Sequence, residues 1–476
     1  MILYFIVIAV NEKFSAAADY RSIIFAGVNR NMFGSKEIDM LHGSLWDKII
    51  LFAIPLGLTG VMNQMFNAAD VAVLGKFVGK EAMAAVGNNI SLIGLLVNLF
   101  MGLSLGANVV IAQNIGAQNF ERARAAVRTA FVLSIATGIF IVIIGQAATN
   151  FVLDWMEVPF AVRDMSETYF RMYLLSMPAM SIYNFEAAIF RSRGDTRTPL
   201  IALAIASALN LLLNLIFVST FDDGVFGVGL ATVLADSVSA LILFVAMLRA
   251  EGVIHLDVHD LSLDRDRLKE IVRIGMPAGI QGMVFSLSNL LIQAAINSLG
   301  ADAMAASAAA FTIEINVFCI INAFAQSTTT FVGQNYGARN LERCRRVTWL
   351  SMGLGTIFMG VPSIFILTFA EEMLSFFNTD PNVIALGKIR LWHIVAPEII
   401  NVLLEGLSAA LRGYGISMAP AMIILLGVCG VRITWLFTVF IGSPTYETLM
   451  TAYPVSWFVT TALMCGAYRF YMRHIE

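Results

Sequence analysis

Residues 113–122 read QNIGAQNFER, and residues 334–343 read QNYGARNLER, 221 positions later. Pro55 recurs as Pro277 at almost the same spacing. The other segments that recur at this spacing are residues 79–85 at 300–306 and residues 191–199 at 412–420. The order of these matches along the chain indicates an internal duplication of the whole sequence after the N-terminal region.

The composition is that of a membrane protein. Of the 476 residues, 58% are hydrophobic and only 13% are charged, and the mean hydropathy is +0.78, whereas soluble proteins carry roughly 25% charged residues. The apolar residues form long blocks, and about 20 of them in a helix cross a bilayer core. We therefore predict an all-α, polytopic membrane protein with twelve transmembrane helices in two six-helix lobes. The predicted spans lie near 49–74, 83–111, 123–147, 168–190, 200–219, 227–248, 271–298, 304–332, 344–368, 387–410, 420–441 and 450–471.

Charge alternates between successive loops and predicts the orientation. Loops near residues 122–128, 191–197, 249–273 and 339–346 are rich in arginine, whereas those near 154–164, 222–223 and 371–380 are acidic. The positive-inside rule makes the basic side cytoplasmic. Both termini are then cytoplasmic.

The repeat predicts how the halves are related. Six helices separate equivalent positions, so both copies begin on the same side of the membrane and form a parallel repeat. Transporters with internal repeats often bind substrate at the repeat interface. The predicted organisation is an N-terminal extension (1–40), disordered or added by an upstream start codon, an N-lobe (41–250), a cytoplasmic linker (251–270) and a C-lobe (271–476).

The repeated loop also has a predicted local structure. Gly116 and Gly337 suit the left-handed residue that ends a helix. Asn119 and Asn340 suit the N-cap of the next helix. A capped cytoplasmic turn is favoured over a direct substrate contact.

Several functional classes are excluded. A net charge of −3 suggests no nucleic-acid partner, and the four scattered cysteines suggest neither disulfides nor zinc. Phosphate-binding loops and zinc-protease signatures are absent from the sequence. The chain is therefore predicted to be no enzyme, to need no cofactor and to draw energy from an ion gradient.

Five short segments, with the paired QNxGA loops, resemble the multidrug and toxic compound extrusion (MATE) family over residues 41–471. The segments are NAAD (67–70), GKFVG (75–79), RGDTRTP (193–199), NLLLN (210–214) and GVGLAT (227–232). The resemblance implies two six-helix lobes around a central cavity and export driven by H⁺ or Na⁺ entry. Residues 281–285 (QGMVF) lack the acid of one family branch, so the chain is more similar to the DNA-damage-inducible prokaryotic branch, whose coupling residues lie in the first lobe.

Polar residues within spans are the candidate coupling residues, because a carboxylate in a membrane helix is costly and marks an ion or substrate pathway. Asp70 is the first candidate coupling residue, because an apolar setting favours its protonated form. Its carboxylate oxygens also suit Na⁺. Asn210 and Asn214 share one helix face, and the resemblance associates them and Thr232 with this cluster, although related exporters carry Asp where this chain has Asn214. Helix–helix hydrogen bonding is the structural alternative. Asp236 is a further candidate, and Na⁺ is considered at Asp70, Asn210 and Asn214.

Other charged and polar residues are candidates for the substrate cavity: Glu186, Glu314, Glu405, Arg432 and Asn289. Glu186 and Glu405 occupy matching places near cytoplasmic ends and could instead pair with arginines. Arg432 needs an acceptor, such as a backbone carbonyl or Glu405. Pro55 and Pro277 interrupt the first helix of each half and are candidate hinges, with static curvature as the alternative.

The predicted function is export of amphipathic, often cationic, organic compounds by antiport. The alternative is a flippase for lipid-linked saccharides, which the scarcity of buried arginine disfavours. The expected setting is the plasma (inner) membrane of a prokaryote, with small-molecule substrates and membrane lipids as partners, and the expected state is a monomer.

Overall fold

A computed structural model describes residues 37–156, 158–220 and 224–475, and this part of the chain is helical without strands. The first half contains α1 (Trp46–Phe77), α2 (Lys80–Gly116), α3 (Phe120–Trp155), α4 (Phe160–Arg193), α5 (Arg197–Thr220) and α6 (Gly224–Arg249). The second half contains α7 (Arg265–Ser298), α8 (Ala301–Gly337), α9 (Leu341–Thr368), α10a (Pro381–Ile394), α10b (Glu398–Gly413), α11 (Met418–Phe440) and α12 (Tyr446–Ile475). A short helix, Ala370–Ser375, follows α9.

Every predicted span coincides with a helix of the described residues. Within the part of the chain that the structure describes, ten helices are long and apolar enough to cross a membrane, and α10a with α10b forms an eleventh span bent by 41°. The remaining predicted span is α4, whose 34 residues are long enough but include charged residues such as Arg163, Asp164 and Glu167. The all-α, polytopic prediction is therefore confirmed.

The repeated loops differ from the prediction in one respect. Asn119 and Asn340 are the expected N-caps, since their side chains accept hydrogen bonds from the backbone N–H groups of Arg122 (3.3 Å) and Arg343 (3.0 Å). The left-handed residues, however, are Gln118 (φ 56°) and Arg339 (φ 58°), and the prediction of Gly116 and Gly337 was wrong.

The two glycines are required instead by close packing between the halves. A Cβ atom on Gly116 would overlap the carbonyl oxygen of Gln334, and one on Gly337 would overlap that of Gln113. The helices α2 and α8 therefore touch backbone to backbone where they end. We call this end of the molecule, which carries the repeated loops, the loop end.

Two side chains of the repeated motif join the halves at the loop end. Gln113 Nε2 donates to the carbonyl oxygen of Gly413 at 2.8 Å, and Gln334 Nε2 donates to that of Ser192 at 2.7 Å. Donors and acceptors are both 221 positions apart. The contact therefore obeys the symmetry of the sequence repeat.

The first helix of each half packs against the other half near the loop end. Ile49, Phe52 and Leu56 of α1 belong to the hydrophobic core of the second half. Ile271 and Ile274 of α7 belong to the core that α2 forms with its neighbours in the first half. This exchange closes the molecule at the loop end.

Residues before α1 add to this closure. The carbonyl oxygen of Met40 accepts hydrogen bonds from Asn335 (3.1 Å) and Arg343 (3.2 Å) of the second half. Glu37 pairs with Arg193 of the first half at 3.1 Å. The short segment 37–43 thus contacts both halves, while the remainder of the predicted extension lies outside the described residues.

Farther from the loop end, α1 and α7 expose polar side chains. Asn63, Gln64 and Asn67 on α1 are exposed, as are Asn289 and Gln293 on α7. Amide side chains within a span favour a water-filled space over lipid. We infer that these side chains face a water-filled cleft between the halves.

We predict that Gly337→Val destabilises the protein, because the added atoms meet the backbone of α2 and overpacking costs about 1–3 kcal/mol. A matched control is Gly353→Val on α9, since nothing lies within 4 Å of the added Cβ. Melting temperatures of the purified proteins in detergent measure the difference. Equal melting temperatures for the two variants would contradict the close packing.

Candidate functional site

A buried carboxylate lies where α1, α5 and α6 meet. Asp70 is 1% exposed. Its Oδ1 accepts a hydrogen bond from Asn214 Nδ2 at 2.6 Å, and its Oδ2 accepts one from Thr232 Oγ1 at 3.2 Å. Three helices of the first half therefore supply one polar cluster, which we call the Asp70 cluster (Asp70, Asn210, Asn214 and Thr232).

Helical spacing places the two asparagines of the cluster together. Asn210 and Asn214 are one turn apart on α5 and are completely buried. Asn214 Nδ2 also donates to Asn210 Oδ1 at 3.1 Å. Asn210 Nδ2 and Asn214 Oδ1 have no hydrogen-bond partner among the described residues. The cluster thus retains one free donor and one free acceptor.

Asp236 lies close to this cluster but outside its hydrogen bonds. It is one turn after Thr232 on α6, it is 9% exposed, and its Oδ2 lacks a partner in the described part of the chain. Two buried tyrosines of α4, Tyr169 and Tyr173, lie in the same hydrophobic core as Leu74 of α1 and Val228 of α6, which are one turn from Asp70 and Thr232, respectively. The tyrosines were missed from the sequence, although their spacing of four residues was visible.

Asp70 has no cationic partner among the described residues. Each carboxylate oxygen is held by a neutral donor, and no lysine, arginine or histidine of the described residues pairs with Asp70. No group of three or more His, Cys, Asp or Glu side chains among the described residues could hold a metal ion. Any cation at this site would therefore rely on one carboxylate and on amide and hydroxyl oxygens.

The second half contains a buried ion pair. Glu314 on α8 and Arg390 on α10a are both buried, and Arg390 Nη2 and Nε donate to the carboxylate at 2.5 and 3.1 Å. This ion pair neutralises both residues inside the bundle. Arg390 was missed from the sequence, because the prediction treated arginine as almost confined to loops and Arg432.

Arg432 lies on α11 and is 1% exposed. Its Nε donates to Ser456 Oγ at 3.1 Å, and its Nη1 donates to Asn289 Oδ1 at 3.4 Å. Glu405, one of the acceptors considered from the sequence, does not pair with it. Asn289 and Arg432, two of the cavity candidates, are thus in contact.

Glu186 and Glu405 do not form the ion pairs considered from the sequence. Glu186 on α4 is fully buried, and neither oxygen has a hydrogen-bond partner among the described residues. Glu405 on α10b is half-buried and has no cation within 4 Å in the described part of the chain. Both lie apart from the hydrogen bonds of the Asp70 cluster.

The candidate hinges are internal prolines. Pro55 lies within α1 and Pro277 within α7, and both are buried. The carbonyl oxygen of Pro55 accepts the Thr59 hydroxyl at 2.8 Å. Pro55 lies fifteen residues, or about four turns, before Asp70 on the same helix.

The sequence profile of the MatE family matches the chain twice, at residues 55–216 and 277–438. The chain belongs to the MatE family. The two matches fall on the two halves, in agreement with the internal repeat. MatE proteins are transporters that need no cofactor, so the chain is a multi-pass membrane transporter of small molecules and not an enzyme.

Relatives and solved structures extend this assignment over almost the whole transporter. The chain is 27% identical over 436 residues to a probable multidrug resistance protein, YoeA, of Bacillus subtilis, and the match covers 90% of this chain and 94% of the relative. It is 27% identical over 390 residues to the probable multidrug resistance protein NorM of Thermotoga maritima, covering 81% and 84%.

The fold of the transporter is also found among solved structures. The structure of a multidrug resistance MATE family transporter in an outward-facing conformation has a TM-score of 0.86 and 21% identity, covering 93% of this chain and 99% of that one. The likeness confirms the fold that the repeat and the hydropathy predict.

We predict that Glu314 and Arg390 stabilise the transporter without acting in transport. Arg390→Met alone leaves a buried unpaired carboxylate and is expected to cost about 3–5 kcal/mol. The double variant Glu314→Leu/Arg390→Met should recover most of this loss. Melting temperatures and efflux rates of both variants test the prediction, and an inactive but stable double variant would assign the pair a role in transport.

Proposed function

We propose that the transporter exports amphipathic, often cationic, organic compounds in exchange for H⁺ or Na⁺ by alternating access. The observation that carries the proposal is Asp70, a buried carboxylate within a membrane span that neutral donors from α5 and α6 hold. A carboxylate placed in this way, without a cationic partner, favours a role in binding a mobile cation over a purely structural one.

The donor pattern favours a proton over Na⁺. Both oxygens of Asp70 already accept a hydrogen bond, and the amide of Asn214 presents its N–H group to the carboxylate. Sodium binding would require the free Asn214 Oδ1 to turn toward the ion. Asp236 is the second carboxylate of this region, and we assign it to the same pathway because it is close to Asp70 and partnerless at Oδ2.

The packing supports alternating access between the halves. The loop end is closed by the Gln113 and Gln334 hydrogen bonds, whereas polar side chains of α1 and α7 are exposed farther along the bundle. Opening at the loop end requires these two hydrogen bonds to break. We place the loop end on the cytoplasmic side of a prokaryotic plasma membrane, on the basis of the arginine-rich loops. Both termini are then cytoplasmic, and the N-lobe, linker and C-lobe keep the boundaries given above.

The names of the relatives support multidrug export. Both YoeA and NorM are described as probable multidrug resistance proteins. A flippase for lipid-linked saccharides is the second candidate. It is disfavoured because a pyrophosphate calls for several cations, and Glu314 already neutralises Arg390.

The test of the proposed coupling is efflux from energised proteoliposomes, with Na⁺ and pH gradients imposed separately. We expect Asp70→Asn to lose at least tenfold in gradient-driven efflux of a cationic dye such as ethidium, because the amide cannot bind the driving ion. Asp302→Asn, which changes an exposed aspartate at the start of α8, is the matched control. Full gradient-driven efflux by Asp70→Asn would overturn the site assignment, and flipping of a fluorescent lipid-linked saccharide without dye efflux would favour the flippase.

We further predict that Pro55→Ala slows transport, because proline frees a backbone carbonyl and permits α1 to change its bend between the loop end and Asp70. The expected result is a several-fold lower efflux rate with unchanged dye binding. Pro362→Ala on α9 is the control, since that proline lies in a helix outside the Asp70 cluster. An unchanged rate in Pro55→Ala would remove the hinge and leave static curvature.

A further inference from the structure

Arg432 is a buried cation that has no counter-ion. It is 1% exposed, and no carboxylate of the described residues lies within 4 Å of its guanidinium. Glu314 and Glu398 act on it only over a longer range. Arg390, equally deep in the same half, is neutralised by two hydrogen bonds to Glu314. An arginine within a membrane bundle normally pairs with an acceptor or marks a pathway.

The hydrogen bonds of Arg432 are also incomplete. Its Nε and Nη1 donate to the neutral acceptors Ser456 and Asn289, and the second of these bonds is long at 3.4 Å. Its Nη2 has no acceptor among the described residues. A buried guanidinium that leaves one donor unused is expensive, so this arrangement indicates that an acceptor from outside the chain completes it.

The backbone around Arg432 is unusual as well. Arg432 lies in a five-residue α-helical segment, Val431–Trp435, between two π-helical segments, Leu425–Gly430 and Leu436–Phe440. Such π-helical insertions are found frequently at functional sites. This observation is independent of the charge and points to the same residue.

Asn289 connects Arg432 with the exposed polar side chains of α7. Asn289 on α7, which accepts from Arg432 Nη1, is exposed. Aromatic rings surround the guanidinium: the Tyr453 ring centroid lies 4.1 Å from Cζ, and those of Phe285 and Trp457 lie at 5.6 and 5.9 Å. The site therefore combines a fixed positive charge with apolar, planar surfaces beside the cleft.

We propose that Arg432 and Asn289 form a binding subsite in the second half for the oxyanion, a carboxylate or a phosphate, of an amphipathic aromatic substrate. Guanidinium binds such groups through two parallel N–H donors, and Nη1 and Nη2 supply them here. The rings of Tyr453 and Phe285 contact the aromatic body of the substrate. The inference rests on the proposed function and extends its substrate range: zwitterions and organic anions join the cations among the substrates.

The test compares probes that differ only in the oxyanion. The first pair is ciprofloxacin, which carries a carboxylate, and its methyl ester. The second pair is flavin mononucleotide, which carries a phosphate, and riboflavin. Equilibrium dialysis against the purified full-length transporter gives the dissociation constants. We expect at least one of the two oxyanion probes to bind at least tenfold more tightly than its counterpart without the oxyanion.

The first variant is Asn289→Asp, which places a carboxylate where Asn289 Oδ1 accepts from Arg432 and so occupies the guanidinium. This change supplies the missing counter-ion and should raise the melting temperature. The affinity for the oxyanion probe should fall at least tenfold, and the affinity for the ester or riboflavin should not change. The matched control is Gln293→Glu, which adds the same charge to an exposed position one turn further along α7 and should keep the wild-type ratio.

The second variant is Arg432→Gln, which removes the charge and should likewise abolish the preference. A variant that loses affinity for both members of a pair to the same extent would mean that Arg432 is purely structural, and this would overturn the proposal. If Arg432→Gln does not fold, the effect of Asn289→Asp on the preference for the oxyanion probe decides whether the subsite exists. Equal affinities within both pairs in the wild type, or no effect of Asn289→Asp on the ratio, also overturn it.

Lipid phosphate is the other source of the same chemistry, and the vesicle composition separates it from substrate. In phosphatidylcholine vesicles the preference for the oxyanion probe should match that in phosphatidylglycerol vesicles. A preference that anionic lipid abolishes in the wild type would assign the site to lipid headgroups and overturn the substrate subsite.

Failure of the subsite and failure of the proposed function are distinguishable. Gradient-driven efflux of ethidium, which has no acidic group, reports on the proposed function alone. Efflux of ethidium with equal affinities within both pairs retains antiport and rejects the subsite. An oxyanion preference without ion-driven efflux of any probe retains the subsite and rejects antiport.

Discussion

The structure depends on how charge is accommodated inside a hydrocarbon layer. Each buried ionisable group must be neutralised, hydrogen-bonded by neutral donors, or left to a mobile partner. Glu314 and Arg390 neutralise each other and need nothing further. Asp70 is hydrogen-bonded by neutral donors alone. Arg432 has one N–H donor group, at Nη2, that lacks an acceptor among the described residues. The first half therefore buries a carboxyl group, and the second half a guanidinium, that has no ionic partner among the described residues.

Closure at the loop end combines backbone contact, hydrogen bonds and exchanged apolar side chains. The glycines at the ends of α2 and α8 permit the helices to touch, and Gln113 and Gln334 each donate to the other half. Phe52 of α1 and Ile271 of α7 also pack in the hydrophobic core of the opposite half. Because the segment 37–43 contacts both halves, the alternating access proposed above requires this segment to move.

The fold followed from the sequence because hydropathy and the repeat are global signals that many residues share. The Asp70 cluster followed in part, since helical spacing alone places Asn210 beside Asn214, whereas the neighbouring tyrosines of α4 depend on how helices pack. The ion pair of Arg390 with Glu314 could not be predicted, because residues far apart in sequence meet only after packing. The glycines of the repeated loop were misassigned for the same reason: the sequence reports local conformation, and their requirement is a contact with the other half.

Two equivalent hydrogen bonds, from Gln113 to Gly413 and from Gln334 to Ser192, join the halves. This arrangement has the form of an isologous dimer interface, in which one surface patch meets its own copy. A six-helix ancestor carrying a single such motif would have paired with a second copy of itself through the same two bonds. Fusion of two genes would then have preserved an interface that already existed. The later divergence of the halves, with an acid kept in one and a guanidinium in the other, became possible once each sequence could change without altering its twin.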